Sequence, residues 1–314
     1  MIKTPIAYIV FNRPSLTEKS FQVIREQKPS KLYIIADGPR QDHKNDNELC
    51  LKVRAITEKI DWNCEVHRSY SNKNLGLKNR VSSGLDWVFD QVEKAIILED
   101  DCVAHPDFFK FCDLLLDYYS KNNSISVITG NNFQNGKWRG DASYYFSKYC
   151  HCWGWATWRR AWKNYQGSIP FWMDWKKNKY WVNQFNNKKE KKYWENIFDR
   201  VYYDQIDSWA YPWTASVWFS GGLTVTPNVN LVSNIGFGED STHTKNKKSK
   251  FSNMAVNNLH NIKHPNIIKI NVEADNLTFD NHYQGKYLRF PYSWIIFPKR
   301  ILRYLLRILK ILFN

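Results

Sequence analysis

Short strand-forming runs alternate with helix-forming segments over the first hundred residues. The runs cover residues 6–11, 32–36, 65–69 and 95–98, and segments with helical periodicity lie between them. Strands that alternate with helices are typical of a mostly parallel sheet covered on both faces. The sequence therefore predicts an α/β protein with a mostly parallel central sheet flanked by helices.

Polar residues follow three of these runs at the point where each run ends. Asn12 and Arg13 follow the first, Asp37 follows the second, and the acidic triplet 99–101 follows the fourth. Open α/β sheets bind ligands beyond the carboxyl ends of their strands. We therefore expect these side chains to converge on one crevice.

The triplet Glu99, Asp100 and Asp101 directly follows the apolar run AIIL. Adjacent carboxylates repel one another and resist burial, so a cation, a ligand or solvent must compensate them. Carboxylates at a strand end hold Mg²⁺ or Mn²⁺ while substrate phosphates and waters complete the coordination. A solvated turn or a helix N-cap is the alternative, since a helix begins near Asp107. The position after a buried strand favours the metal site.

The composition excludes a disordered chain, because 16% of the residues are aromatic and 15 are Trp. The formal charge of +15 suits nucleic acid, an anionic membrane surface or a phosphate-bearing substrate. Eleven of the Trp lie between Trp153 and Trp218. Exposed aromatic faces stack on sugar rings or bases, but core packing is the simpler interpretation for any one Trp. Helical spacing predicts a core helix around Trp155, Trp158 and Trp162.

The C-terminal residues 291–314 differ from the rest of the chain. Basic residues recur there at helical spacing, with apolar residues covering the remaining circumference: Arg300, Arg303, Arg307 and Lys310. This predicts a basic amphipathic helix, too charged and too short to span a bilayer, that lies on an anionic membrane surface. A final helix docked on the core is the alternative. The N-terminal apolar run is too short for a signal peptide, so we expect a cytoplasmic protein, peripheral on the inner face of the cytoplasmic membrane.

Several segments together resemble nucleotide-sugar glycosyltransferases of the GT-A fold: LEDDCVAHPDFF, NLGLKNRVSSGLDWVF, ADGPR, HCWGWATW and NLVSNIGFGEDSTHT. The chain is most similar to bacterial relatives of the N-acetylglucosaminyltransferase that begins hybrid and complex N-glycans. The resemblance covers roughly residues 5–245. It implies a Rossmann-like GT-A domain over 1–290, with a nucleotide-sugar-binding half (1–125) and an acceptor-binding half (126–290), followed by the tail 291–314.

The resemblance also implies roles for the acidic triplet. Asp101 would bind the divalent ion, Mn²⁺ or Mg²⁺, that bridges the donor diphosphate. Asp100 would contact the ribose, and Glu99 would contact the donor sugar. His243 lies in the polar loop 239–250, from which we expect it to reach the diphosphate or the metal. A surface histidine without a role is the alternative.

The remaining donor and catalytic residues are implied in the same way. Arg13 and Asp37 would lie beside the nucleotide base, with Asn12 in the same nucleotide-sugar site. In DQIDSWAYPW, Asp207 occupies the place where the family carries its catalytic base, and Asp204 is a nearby competitor. A base that deprotonates the acceptor hydroxyl opposite the leaving diphosphate would invert the anomeric centre.

These features predict a metal-dependent, inverting glycosyltransferase that uses a UDP-sugar and a glycan or lipid-linked acceptor in bacterial surface polysaccharide or lipopolysaccharide synthesis. A nucleotidyltransferase acting on sugar phosphates is the first alternative. It would be expected to carry a glycine-rich basic loop after the first strand, and VFNRPSLTEK has no glycine. A non-catalytic nucleic-acid-binding protein is the second, but it explains neither the triplet nor the amphipathic tail, so we expect no nucleic-acid partner.

Overall fold

A computed structural model describes residues 2–238, 246 and 249–289. The predicted C-terminal amphipathic helix and His243 lie outside these residues. Within the described part of the chain, no helix is long and apolar enough to cross a membrane.

The described residues contain ten strands, which form two sheets. Their bounds are β1 Ile6–Val10, β2 Lys31–Ala36, β3 Glu65–Tyr70, β4 Lys94–Glu99, β5 Cys102–Ala104, β6 Ile125–Thr129, β7 Tyr144–Ser147, β8 Trp155–Trp158, β9 Leu223–Pro227 and β10 Val232–Asn234. The eight-stranded sheet has the order β3-β2-β1-β4-β8-β6-β9-β7, and β5 pairs with β10 in a two-stranded sheet.

The central sheet is mostly parallel, as predicted. Strands β3, β2, β1 and β4 are parallel to one another, and β6 is parallel to β9. β8 is antiparallel to both β4 and β6, and β7 is antiparallel to β9. The sheet therefore draws strands from both sides of residue 125 and joins them through β8.

In the part of the chain that the structure describes, ten helices and one 3₁₀ turn accompany the strands. Their bounds are α1 Pro14–Gln27, α2 Asp46–Thr57, α3 Gly76–Gln91, α4 Pro106–Tyr118, α5 Arg159–Trp162, α6 Trp172–Trp175, α7 Lys179–Asn183, α8 Lys188–Tyr202, α9 Ala210–Phe219, α10 Val272–Asn281 and the 3₁₀ turn Gly285–Leu288. The first four helices lie where the sequence predicts them, because each follows a strand and a turn and carries its apolar residues at helical spacing.

The core consists of two layers, one on each face of the sheet. Alternate residues of a strand point to opposite faces, so Tyr8 and Val10 join the layer that packs on α1 and α4, whereas Ala7 and Ile9 join the other. The second layer contains most of the Trp residues, packed between α3 and the helices α5 to α9. The predicted α/β class, with helices covering both faces, is confirmed.

Two local predictions were wrong. Trp155 and Trp158 are buried, as expected of core residues, but they belong to strand β8, and only the next four residues form a helix. The segment SGGLTVTPNVNLVSNIGFG, residues 220–238, predicts strands that pair with each other across turns, but β9 joins the central sheet and β10 pairs with β5. Both errors arise from pairing partners that are distant in the sequence.

Candidate active site

The acidic triplet lies between the two sheets. Glu99 ends β4, Asp100 and Asp101 form the turn, and Cys102 begins β5. The backbone carbonyl of Asp101 accepts a hydrogen bond from Ile235 N at 2.9 Å, which continues the β5–β10 pairing. The two-stranded sheet therefore fixes the turn that carries the carboxylates.

Arg13 is the cation of this site. It follows β1 and precedes α1, and its Nη2 lies 3.1 Å from Oδ2 of Asp101. The same guanidinium hydrogen-bonds both oxygens of Asp100, one of them from Nε at 3.4 Å. Burial lowers the pKa of Arg13, but the charges of Asp100 and Asp101 outweigh burial and raise it. Arg13 therefore remains charged and holds two of the three carboxylates.

Asp100 is the most enclosed of the three carboxylates. It is buried, and its Oδ2 also accepts a long hydrogen bond from the backbone N–H of Phe11 at 3.4 Å. Its carbonyl accepts from Ser20 Oγ at 2.8 Å. Burial raises the pKa of Asp100, and Arg13 opposes that shift. Asp100 thus joins the end of β4 to the start of α1.

Asp101 is held on a different side. Its Oδ1 accepts from Asn234 Nδ2 at 3.2 Å and lies 3.5 Å from Cys102 Sγ. Gly236 approaches so closely that a side chain there would collide with the carboxylate. Asn234 Oδ1 in turn accepts from Gly236 N at 2.9 Å. The NIGFG segment therefore packs directly over Asp101.

Glu99 differs from its two neighbours because its carboxylate has no hydrogen-bond partner among residues 2–238, 246 and 249–289. It is partly exposed. Burial, followed by repulsion from Asp101 and Asp100, raises the pKa of Glu99 to about 8. The side chain is therefore available to a ligand that offers a positive charge or hydrogen-bond donors.

The donor set fits a divalent ion that shares its coordination with a substrate. Three carboxyl groups face one guanidinium, so the cluster carries an excess of negative charge that a cation would offset. In the described part of the chain there is no group of three or more His, Cys, Asp or Glu arranged to hold an ion. Mg²⁺ typically needs only one or two carboxylates besides waters and substrate phosphates. Asp101 and Glu99 supply oxygens of this kind.

Asp37 lies at the end of β2, at the same edge of the sheet, but its carboxylate is already hydrogen-bonded. It accepts from Leu75 N at 2.9 Å, Gly76 N at 3.2 Å and Asn74 Nδ2 at 3.1 Å. Burial raises the pKa of Asp37, and the hydrogen bonds from Leu75 and Gly38 oppose that shift. Asp37 therefore fixes the start of α3, and a contact with a nucleotide base stays a prediction.

Asn12 belongs to a third group at this edge. Its Nδ2 donates to Asp46 Oδ1 at 2.8 Å, and Arg40 pairs with the same carboxylate through Nε at 2.6 Å. The hydrogen bond from Arg40 is the main reason that the pKa of Asp46 falls to about 2. The Arg40 guanidinium lies 5.4 Å from the centre of the Phe11 ring. Sequence analysis missed Arg40 and Asp46, because neither lies at the end of a strand.

The two candidate bases differ in their surroundings. Asp204 pairs with Lys78 Nζ of α3 at 2.7 Å, and this contact lowers the pKa of Asp204. Asp207 is exposed and has no side-chain partner within the described ranges. Two residues later, the Trp209 ring stacks 5.5 Å from Trp155 of β8. Asp207 is therefore the less constrained carboxylate.

Cys152 follows His151 just before β8. Burial raises the pKa of its thiol, and the charges of Glu99 and Asp101 add to the shift. Burial also raises the pKa of the Tyr211 phenol of α9, and Cys152 adds to that shift. Sequence analysis assigned no role to Cys152 or Tyr211.

Comparisons with known proteins give remote structural similarities. No protein-family model and no curated protein matches the sequence. A mannosyltransferase from Pyrobaculum calidifontis, solved with GDP-Man and Mn²⁺, is similar with a TM-score of 0.36 and 10% identity over 70% of this chain and 74% of that chain. A UDP-glucose pyrophosphorylase solved with UDP-glucose gives a TM-score of 0.26 and 14% identity over 47% of this chain and 62% of that one, less than two thirds of its length.

A cytidylyltransferase from Leptospira borgpetersenii gives a TM-score of 0.30 and 14% identity over 52% of this chain and 63% of that chain. Scores and identities this low do not identify a function. A functional proposal for this protein depends on the residues of its own site.

Proposed function

We propose that the protein is a metal-dependent, inverting glycosyltransferase that moves a sugar from a nucleotide diphosphate donor, with UDP favoured, to a glycan or lipid-linked acceptor. The observation that carries the proposal is the acidic cluster at the end of β4, where Arg13 is the only cation that pairs with the triplet among the described residues. A site with unbalanced carboxylates and a nearby guanidinium suits a metal-bound diphosphate.

The donor half of the site is residues 1–125. Asp101, with Glu99 beside it, would hold Mn²⁺ or Mg²⁺, which when bound would stabilise charge on the leaving diphosphate. Arg13 keeps Asp100 and Asp101 in place, and Asn234 orients the Asp101 carboxylate from the other side. His243 remains a proposed additional ligand. Asp100 and Glu99 are proposed to contact the ribose and the donor sugar.

The acceptor half is residues 126–290. Asp207 would take the proton from the attacking hydroxyl, on the sugar face opposite the leaving diphosphate, so that the anomeric configuration inverts. It has no salt bridge to any described residue, whereas Asp204 pairs with Lys78, and this supports the choice of Asp207. Trp153 and Phe237 are partly exposed, and their ring centroids are 5.6 Å apart. Phe237 directly follows the glycine that packs on Asp101, so these rings suit a sugar acceptor.

The nucleotidyltransferase alternative is less well supported. The chain between β1 and α1 contains no glycine and places Arg13 on the carboxylates, so it offers no loop of backbone N–H groups for a triphosphate. The biological setting that we propose is bacterial surface polysaccharide or lipopolysaccharide synthesis, with residues 291–314 holding the protein on the inner face of the cytoplasmic membrane.

Two measurements test the proposal. A thermal-shift screen of nucleotide sugars with and without Mn²⁺ should find a donor that raises the melting temperature only with the metal, because a ligand that binds the native state stabilises it. Product analysis with that donor should then detect release of the nucleoside diphosphate. Formation of pyrophosphate from a nucleoside triphosphate and a sugar 1-phosphate would instead establish the nucleotidyltransferase.

A further inference from the structure

The positive charge of the protein is concentrated in two segments. Residues 174–192 contain seven lysines and two acidic residues, a net +5 of the formal +15. Residues 290–314 contain five basic residues and no acidic one. Together they are 44 of the 314 residues and hold two thirds of the net charge. A uniform solubilising surface would not give this distribution.

The first of these segments forms an exposed surface on α7, α8 and the turn before them. We define the lysine face as five exposed residues that have no acidic partner in the described part of the chain: Lys177, Lys179, Lys188, Lys189 and Lys192. The other two lysines are paired, Lys176 with Asp199 at 2.8 Å and Lys191 with Glu195 at 3.4 Å. The lysine face thus presents positive charge that no ion pair within the described residues offsets.

Apolar side chains are also exposed on α7. Tyr180 is 72% exposed and Val182 is 45% exposed, although both belong to the short helix α7. The residue between them, Trp181, is fully buried against the rings of Trp172 and Trp175 at centroid distances of 4.7 and 4.8 Å. Trp181 thus fixes α7 to the core, and Lys179 Nζ lies 5.8 Å from the centre of the exposed Tyr180 ring.

The described chain ends against α8. The Tyr283 ring packs against Tyr193 and Trp194 of α8 at centroid distances of 6.0 and 5.0 Å. The 3₁₀ turn that follows also contacts α8, and Arg289 is held by Asp280 at 2.7 Å. The last described residues therefore pack against the helix that carries three members of the lysine face.

We propose that the lysine face, with Tyr180 and Val182, is a second contact surface for an anionic lipid bilayer, which acts together with residues 290–314. Clustered lysines are attracted to an anionic leaflet, and a protruding aromatic ring suits the boundary between headgroups and acyl chains. A soluble polyanion would also attract the lysines, but it would not favour an exposed Val beside Tyr. The inference does not depend on the proposed transferase reaction.

Full-length variants test this surface. The face variant replaces the five lysines of the lysine face with Gln, which preserves side-chain length and helix propensity. A matched control replaces five other exposed lysines that lack an acidic partner in the described ranges: Lys19, Lys44, Lys121, Lys137 and Lys163. Both variants have the same net charge. A third variant, with Arg300, Arg303, Arg307 and Lys310 replaced by Gln, tests the tail.

Binding is measured by flotation with phosphatidylcholine vesicles, with and without phosphatidylglycerol, at low and high salt. The face variant should lose partitioning onto the anionic vesicles on the order of tenfold or more, and the control should stay near wild type. Combining the face and tail variants should weaken binding beyond either alone. Tyr180→Ser should remove part of the binding that persists in high salt.

Equal partitioning of the face variant and the control would overturn the proposal. So would a face variant that binds anionic vesicles as wild type does but loses affinity for heparin, since the lysines would then serve a soluble polyanion. Circular dichroism and melting temperature establish that each variant is folded. If the face variant is unfolded, a double variant with Lys177→Gln and Lys179→Gln replaces it. Its control is the double variant with Lys19→Gln and Lys44→Gln.

Discussion

Gly236 lies so close to Asp101 that a β-carbon on the glycine would stand 2.2 Å from Oδ2 of the carboxylate. Gly236→Ala should therefore displace Asp101 and weaken Mn²⁺-dependent binding of UDP on the order of tenfold or more, as for other residues that orient a metal ligand. Isothermal titration calorimetry measures the affinity. Gly167→Ala is the matched control, because its β-carbon would meet only ordinary contacts of 3.5 Å and beyond. Equal affinity in both variants would contradict the role of Gly236.

Asp101→Asn should leave the protein folded and abolish metal-dependent nucleotide binding. The amide oxygen can still accept the hydrogen bond from Asn234 Nδ2, but the variant loses the anionic oxygen that a hard cation prefers. Calorimetric titration with UDP in the presence of Mn²⁺ tests this. Unchanged binding in the variant would show that the metal site lies elsewhere.

Asp207→Asn should lower turnover by roughly 10²- to 10⁴-fold, which is the usual contribution of a general base. The affinity for the donor should stay nearly unchanged. Asp204→Asn is the comparison variant, since Asp204 is paired with Lys78 and should matter little. Steady-state kinetics with the donor identified by the thermal-shift screen measure both. Loss of turnover in Asp204→Asn alone would assign the base to Asp204.

Arg13→Met should destabilise the protein by about 3 kcal/mol at pH 8, because it leaves Asp100 and Asp101 without a cation. The loss should be smaller at pH 5, since burial already raises the pKa of Asp100 and removal of Arg13 would raise it further. Urea unfolding at the two pH values measures the difference. Mn²⁺ should restore stability to the variant more than to wild type, and a pH-independent loss would argue against this account.

Asp275 provides a test of pH dependence away from the active site. It accepts from Ser147 Oγ at 2.5 Å, and burial is the main reason that its pKa rises to about 7, with Lys148 opposing the shift. A carboxyl whose folded pKa is raised contributes stability that is present below its unfolded pKa and lost as the pH rises through its folded pKa. Between pH 4 and 7, wild type should lose stability relative to Asp275→Asn.

Urea unfolding of wild type and Asp275→Asn across that range measures the difference. The comparison removes the contributions of groups that do not interact with Asp275, because both proteins share them. Curves that stay parallel from pH 4 to 8 would show that folding does not raise the pKa of Asp275.

Local patterns predicted the first half of the fold better than the second. Strands β1, β2 and β4 are short apolar runs that end in polar residues, and each following helix has its own periodicity, so no distant partner is needed to recognise them. The antiparallel strand β8 could not be predicted, because Ile97 and Trp155 are paired across 58 residues. The same limit applies to β5 and β10.

In the candidate site as well, local patterns could be predicted and contacts between distant segments could not. The contact of Arg13 with the triplet could be predicted because strand ends of a parallel sheet share one edge, and Asp37 follows β2 at the same edge. Asn234 and Gly236 approach Asp101 only through the β5–β10 pairing, and no local pattern indicates that contact. The sequence does not indicate the hydrogen bonds to the Asp37 carboxylate either, because their donors at Leu75 and Gly76 belong to a separate turn.

The position of β8 also constrains how the chain can fold. Strand β4 pairs with β1 on one side and with β8 on the other, and β8 is synthesised more than fifty residues later. Until Trp155 and its neighbours arrive, the strand that ends in the acidic triplet has one unpaired edge, which is a template for association with other chains. A fragment that ends at residue 125 would expose this edge permanently and should aggregate. The strand that carries the acidic site is therefore fully paired only after the tryptophan-rich half of the polypeptide has been synthesised.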